Sequence, residues 1–278
     1  MLDRIEKIID KRGFRGRLRK TFLYNIYRVL KSLPMIFDKR MYYLYSRKIF
    51  KDALDMKFTN GVSIWLNSFF DKPENTFHDL KNKNKYPWIC FEAINYLTFF
   101  LQQRKDPVCF EWGSGASTLY LSDYVKNIRS IENDENFYNE INNEIYTSKI
   151  KNVEYYLVKE TSNNNFISTD HNLEKKYSSQ DNDYKNKNFY EYVNIIKNFK
   201  DKYDVIFIDG QCRNACFENA LEYIKDDGLI VFDNTSREIY KNKLKNLDKK
   251  YKIIFLSGPT PYAQTIDETA FIFKVKNN

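Results

Sequence analysis

The stretch VCFEWGSGASTLYL (108–121) joins an apolar run to a helical one through two glycines, Gly113 and Gly115, with Glu111 just before them. Glycines at the end of a strand let the backbone turn sharply and let a ligand come close, because no Cβ stands in the way. A dinucleotide-binding turn asks for a third Gly or Ala three residues after the second; Thr118 stands there, which disfavours a pyrophosphate. Glu111 would repel a phosphate but suits a ligand carrying an ammonium or sulfonium cation. Glu132, 19 residues after Gly113, ends the next apolar run, where the acidic residue of a nucleotide fold accepts ribose hydroxyls. S-adenosylmethionine carries both cations and a ribose.

A second group of acids lies farther on. Asp209 closes the strongest strand pattern of the chain, YDVIFIDG (203–210), and Asp233 and Asn234 close the next one, LIVFDN (229–234). Three oxygen ligands converging there would suit Mg²⁺, which takes carboxylates and keeps several waters. Such a metal would lower the pKa of an acceptor hydroxyl. Without it, Asp209 or Asp233 would act as general base, and the rate would come from holding the reacting atoms in line. Arg213 and Arg237 flank these acids, either to bind an anionic acceptor or as ordinary surface ion pairs. Cys212 and Cys216 sit four apart at a helix start and are read as packing residues. Trp112, between the motif residues, packs on a ligand or fills the core.

These side chains need a frame, and the hydrophobic periodicity supplies one. It predicts a helix over 85–107 beginning near Pro87, then strand 107–112, helix 117–125, strand 127–134, helix 135–149 and strand 152–160. Residues 161–188 are nearly all polar and show neither period, as in a lid or a disordered loop. A helix over 188–201, strand 203–210, a helix over 217–228 stopped by Gly228, strand 229–234 and a charged helix over 235–250 follow. Two closing strands, 251–258 and 268–275, have no helix between them and should pair antiparallel. The alternation implies a doubly wound α/β fold with a mostly parallel seven-stranded sheet, an antiparallel last strand and an N-terminal helical extension. The expected domains are residues 1–84 and 85–278.

The succession of E-x-G-x-G-x-S-T at 111–118, I-E-N-D at 131–134, D-V-I-F-I-D-G at 204–210 and G-L-I-V-F-D-N at 228–234 resembles the motifs of class I S-adenosylmethionine-dependent methyltransferases. The resemblance covers roughly residues 85–275, including the closing strand pair. It implies that Glu111, Gly113, Gly115 and Ser117 surround the methionine part of the cofactor. It further implies that Glu132 binds the ribose, that Glu160 or its neighbours meet the adenine edge, and that Asp209 lies near the methyl donor. Asp209 with Asp233 and Asn234 also resembles the metal site of catechol-type O-methyltransferases. The stretches I-D-G-Q-C-R-N-A-C and D-N-T-S-R-E-I-Y depart from that group and look closer to a bacterial methyltransferase group in which no metal can be assumed.

Composition narrows the choice of acceptor and compartment. Only two histidines, His78 and His171, are present, so a zinc site or a Ser-His-Asp triad lacks its usual material. Four cysteines without a C-x-x-C pair fit a reducing compartment. Residues 1–51 hold 15 Lys/Arg against 4 Asp/Glu, so the net +8 belongs to this arm and the rest of the chain is slightly acidic. The arm could show its charges to water, rest on an anionic membrane surface or meet a nucleic-acid backbone. No apolar run is long enough to span a membrane and no signal peptide is visible, so a cytoplasmic protein is expected, with peripheral contact at the inner membrane surface through the arm. The leading expectation is methylation of a hydroxyl on a small molecule or glycan. A nucleic-acid acceptor is disfavoured, because Asp209-Gly210-Gln211-Cys212 replaces the N/D-P-P-Y/F/W signature of amino-methylating enzymes. A non-catalytic nucleoside-binding scaffold is the remaining alternative.

Overall fold

Six residues, Tyr203–Ile208, form a strand (β6) in which every side chain is buried, and this marks the centre of the sheet. The computed structural model describes residues 86–162, 176–179, 184–247, 249–261 and 266–275. The N-terminal extension, its basic arm, both histidines and residues 163–175 lie outside the described residues. The chain divides into two units, Met1–Asn84 with Ser257–Asp267, and Lys85–Leu256 with Glu268–Asn278.

The sheet is built from β1 (Val108–Trp112), β2 (Asn127–Glu132), β3 (Val153–Leu157), β6, β7 (Ile224–Phe232), β8 (Tyr251–Pro259) and β9 (Ile266–Lys274). Its order is β3-β2-β1-β6-β7-β9-β8. The pairs from β3 to β7 are parallel, and β9 runs antiparallel to β7. This is a doubly wound, Rossmann-like α/β arrangement with an antiparallel strand added beyond β7. Strand order reverses between β1 and β6, so the crevice for a ligand opens outside their carboxyl ends.

Alternation along the strands builds two cores. Ile206 and Ile208 face one cluster with Phe110, Trp112, Phe217 and Phe232, whereas Val205 and Phe207 face the other with Cys109, Leu229, Val231 and Phe271. Helix α1 (Phe91–Gln102) lays Ala93, Ile94, Leu97 and Leu101 on the second cluster, a stripe at helical spacing. Helices α2 (Ala116–Ser122) and α3 (Glu135–Thr147) follow β1 and β2. Asp134 caps α3 by accepting from Phe137 N at 2.9 Å. Among the described residues no helix is long and apolar enough to cross a membrane.

Several elements differ from their sequence pattern. The helix expected over 188–201 is a short α4 (Tyr190–Asn194) and a 3₁₀ turn (Ile195–Asn198). Helix α5 runs over Arg213–Tyr223, so it starts four residues early and ends before Gly228. Gly228 is no helix stop: β7 already pairs at Ile224 with Tyr203 and, after a bulge, at Leu229 with Val205. A Cβ on Gly228 would lie 2.8 Å from Ile224 Cδ1, so the glycine makes room for the buried isoleucine that pins the bulge. The charged helix is α6 (Glu238–Lys245). In the polar stretch, β4 (Thr161–Ser162) and β5 (Lys187–Asn188) form a small antiparallel pair, held by backbone bonds that side-chain periodicity does not report.

Candidate functional site

A cavity of about 920 Å³ opens at the carboxyl ends of β1, β2 and β6, within the usual size range of ligand pockets. Gly113, Ser114, Glu132 and Asn133 line one end; Asp209 to Ala215, Arg237 and Tyr240 line the other, and Lys176, Ser179 and Tyr184 form part of the wall.

The glycine turn is held by its surroundings as much as by its own conformation. Gly113 has φ +87°, and its N–H donates to Ile131 O at 2.9 Å. A Cβ there would come within 2.5 Å of Gly210 N, so the turns after β1 and β6 touch backbone to backbone. Thr118, where a dinucleotide fold would have its third small residue, is fully buried; its hydroxyl accepts from Gly115 N at 3.0 Å and donates to Glu111 Oε2 at 2.6 Å.

Glu111 is completely buried and does not itself line the cavity. Ser130 Oγ donates to the same Oε2 at 2.6 Å. The other oxygen, Oε1, has no hydrogen-bond partner among the described residues, though Ser117, buried in the first turn of α2, is close enough to pull the pKa down. Burial outweighs the hydroxyls, with Asp209 adding repulsion, and pushes the Glu111 carboxyl up to about 7. The Glu111 carboxylate thus braces the glycine turn from within the core, tied to Gly115 through the Thr118 hydroxyl.

Glu132 reaches the cavity. Its Oε1 accepts from Asn133 N at 2.8 Å and Asp134 N at 2.9 Å, and its Oε2 from Ser114 N at 3.2 Å and Ser114 Oγ at 2.7 Å. Burial raises its pKa, and these four donors oppose the rise. Ser114 Oγ also lies 2.6 Å from Tyr155 Oη, and Tyr155 stacks on Tyr138 at 4.4 Å. Ser114 and Asn133 are site residues to which the motifs assigned no role: Ser114 stands between the two glycines, and Asn133 lies within I-E-N-D beside Glu132. Glu160 lies three residues beyond the end of β3, off the cavity wall, 3.6 Å from Lys187 Nζ.

At the opposite end Arg213 is the organising residue. Only 8% exposed, it donates from Nε to Gly210 O at 2.9 Å and from Nη1 to Asp233 O at 3.0 Å. Its Nη2 pairs with Asp209 Oδ1 at 2.8 Å, while Asp233 Oδ2 is 4.0 Å from Nη1. Burial works against its charge, but the two carboxylates more than compensate and raise its pKa. It is thus a buried counter-ion and not a surface pair. Asp233 is buried behind the wall, with Oδ1 accepting from Thr269 Oγ1 and Oδ2 from Asn234 Nδ2, each at 2.6 Å.

The expected metal set of Asp209, Asp233 and Asn234 is therefore gathered around the Arg213 guanidinium and not around a place for a cation. The Asn234 amide donates to Asp233, and a guanidinium stands between the two acids. Among the described residues no group of three or more His, Cys, Asp or Glu is placed for a metal. This donor set does not fit a divalent cation.

Other residues resolve into packing roles. Trp112 is buried in the core with Nε1 donating to Tyr192 O at 2.9 Å. Burial pushes the Cys212 thiol up to about 12 and raises that of buried Cys216 well above its ordinary value, which keeps both protonated. The polar stretch that lacked a period contributes wall: Ser179 Oγ donates to Gln211 Oε1 at 2.6 Å, Tyr184 Oη accepts from Asn133 Nδ2 at 3.0 Å, and Lys176 pairs with Glu218. Arg237 is exposed at the rim, 5.9 Å from the Tyr240 ring.

No protein-family model matches the chain, and no curated protein matches it. Solved structures do. An rRNA methylase from Streptococcus thermophilus is 11% identical with a TM-score of 0.46, covering 66% of this chain and 96% of that one. A SAM-dependent O-methyltransferase from Thermotoga maritima is 13% identical with a TM-score of 0.44, covering 72% and 71%. A precorrin-6y C5,15-methyltransferase from Geobacter metallireducens is 13% identical with a TM-score of 0.44, covering 73% and 98%. The three differ in what their names say they methylate, and no acceptor is carried over from them.

Proposed function

We propose that the protein is an S-adenosylmethionine-dependent methyltransferase acting on a hydroxyl of a small molecule or glycan. The observation that carries this is the convergence of the Gly113–Ser114 turn, Glu132 and Asp209 on one cavity at the point where strand order reverses. When bound, the cofactor supplies a methyl group on a positively charged sulfur, which leaves with the bonding electron pair as a nucleophile attacks.

The chain's own residues would divide the work. Glu132 accepts the ribose hydroxyls, in place of or beside the Ser114 donors. Glu111, buried behind the turn, favours positive charge on the turn's cavity side, and the Gly113 backbone lets the ligand approach. Asp209 faces the acceptor, orients its hydroxyl and takes its proton as the oxygen attacks. Asp233, sealed behind Arg213, holds Asp209's partner and does not meet the acceptor. No step is assigned to a metal.

Calorimetry with S-adenosylmethionine and with S-adenosylhomocysteine tests the cofactor: saturable binding that is lost in Glu132→Ala supports the proposal, and no binding of either compound ends it. Tritiated methyl transfer into fractionated extract tests the acceptor. Label in lipid or polysaccharide supports the hydroxyl assignment, and label confined to RNA or DNA replaces it with the nucleic-acid one.

A further inference from the structure

We propose that Arg213 is a built-in cation that does at the acceptor end what a bound metal would otherwise do: it neutralises the Asp209 and Asp233 pair and fixes Asp209 on the cavity wall. Asp209 and Asp233 end neighbouring strands and would repel each other if nothing stood between them. The guanidinium is tied at three points, Gly210 O at 2.9 Å, Asp233 O at 3.0 Å and Asp209 Oδ1 at 2.8 Å. Two of these are backbone carbonyls of the turns that follow β6 and β7, so the arginine fixes the relative position of the turns as well as the charge.

A planar fork with donors in set directions can make these three contacts at once, and a lysine ammonium cannot span them. The ring of Tyr240 lies 5.7 Å from the guanidinium carbon and adds a cation–π contact. Asp233 is committed to Thr269 and Asn234, which leaves Asp209 as the acid that meets the cavity. Binding a divalent ion there would require expelling a buried guanidinium and leaving it unpaired, which is strongly unfavourable. Arg213 is thus a positioning residue, acting through Asp209.

The proposal rests on the methyltransferase assignment for its kinetic consequence but not for its metal consequence, so the two can fail separately. Full-length protein is titrated with Mn²⁺ by electron paramagnetic resonance, with and without S-adenosylhomocysteine. The expected result is no bound ion in wild type. One equivalent bound in wild type and lost in Asp209→Asn would overturn the proposal, whether or not the nucleoside binds. Label incorporation into the acceptor fraction should be indifferent to EDTA; loss with EDTA and rescue by Mg²⁺ would also overturn it.

Arg213→Lys and Arg213→Gln should each lower the initial rate per folded molecule about 100-fold through misplacement of Asp209, while the S-adenosylhomocysteine affinity changes little. A merely structural arginine would instead lower the melting temperature and leave the rate of the remaining folded protein unchanged. Absence of nucleoside binding to wild type would sink the cofactor assignment, with the Mn²⁺ titration still deciding the role of Arg213.

Discussion

The two ends of the cavity are built on opposite plans. At the Glu132 end, one carboxylate takes four donors from Ser114, Asn133 and Asp134, all from the turns after two adjacent strands. At the Asp209 end, a carboxylate from the turn after β6 meets an arginine from α5, a backbone carbonyl after β7 and, behind them, a threonine of β9. The first end is a local motif repeated over two strand–turn units. The second is a charge cluster that exists only when four elements are in place. A local motif reads out a common ligand; a dispersed cluster is free to be rebuilt for a particular acceptor.

The largest way to break this comparison is to strike where the ends touch. Gly113→Ala puts a side chain at φ +87° and a Cβ 2.5 Å from Gly210 N, so it should cost about 2–5 kcal/mol from strain and overpacking together. A lower melting temperature and loss of nucleoside binding by calorimetry would be seen together. Unchanged stability would mean that the two turns are not in contact.

The ends should next separate by assay. Glu132→Gln weakens several charge-assisted bonds to the site and is expected to reduce S-adenosylmethionine affinity about 10- to 100-fold, since each such bond contributes roughly 1.5–3 kcal/mol. Asp209→Asn should leave that affinity nearly intact and lower methyl transfer. If both variants lost binding equally, the division between the ends would fail.

Glu111 sharpens the comparison through pH. Its folded pKa, about 7, lies above the ordinary value of 4.5, so the native state holds a proton that the unfolded state has released between these values. Stability from this group is full below about pH 4.5 and falls as pH rises through about 7. Glu111→Gln should flatten that decline in unbound protein, measured by denaturant midpoints across the range. A bound cation should restore the ionised form, so that cofactor binding near neutral pH releases a proton detectable by calorimetry in buffers of different ionisation heat.

The smallest effect is expected at Glu218, which pairs with Lys176 of the cavity wall and Lys243 of α6. All three side chains are more than a third exposed, and Glu218→Gln should cost no more than about 1 kcal/mol. A much larger fall in melting temperature would assign the wall stretch a structural weight that its exposure does not suggest.

Legibility followed the same division. Strands β6 and β7 were visible because central buried strands leave near-continuous apolar runs, VIFI and LIVF, and the glycines and Glu132 because a turn followed by an acid on the next strand has a fixed spacing. Gly228 misled because a glycine after an amphipathic stretch looks alike whether it ends a helix or makes room at a bulge; only Ile224 folding over it tells the two apart. The wall residues Lys176, Ser179 and Tyr184 carried no period, since side-chain contacts to other elements, and not a repeating buried face, hold them.

What the sequence determined by itself was the order of elements, the doubly wound class and the turn at Gly113, all consequences of residues within one or two elements of each other. The tertiary structure alone decided that Trp112 is core, that Asp233 is shut away from the cavity, and that Arg213 stands between the acids. Charge and burial depend on distances across the fold, and spacing along the chain holds no record of which partner, a metal or a guanidinium, fills the gap between two carboxylates.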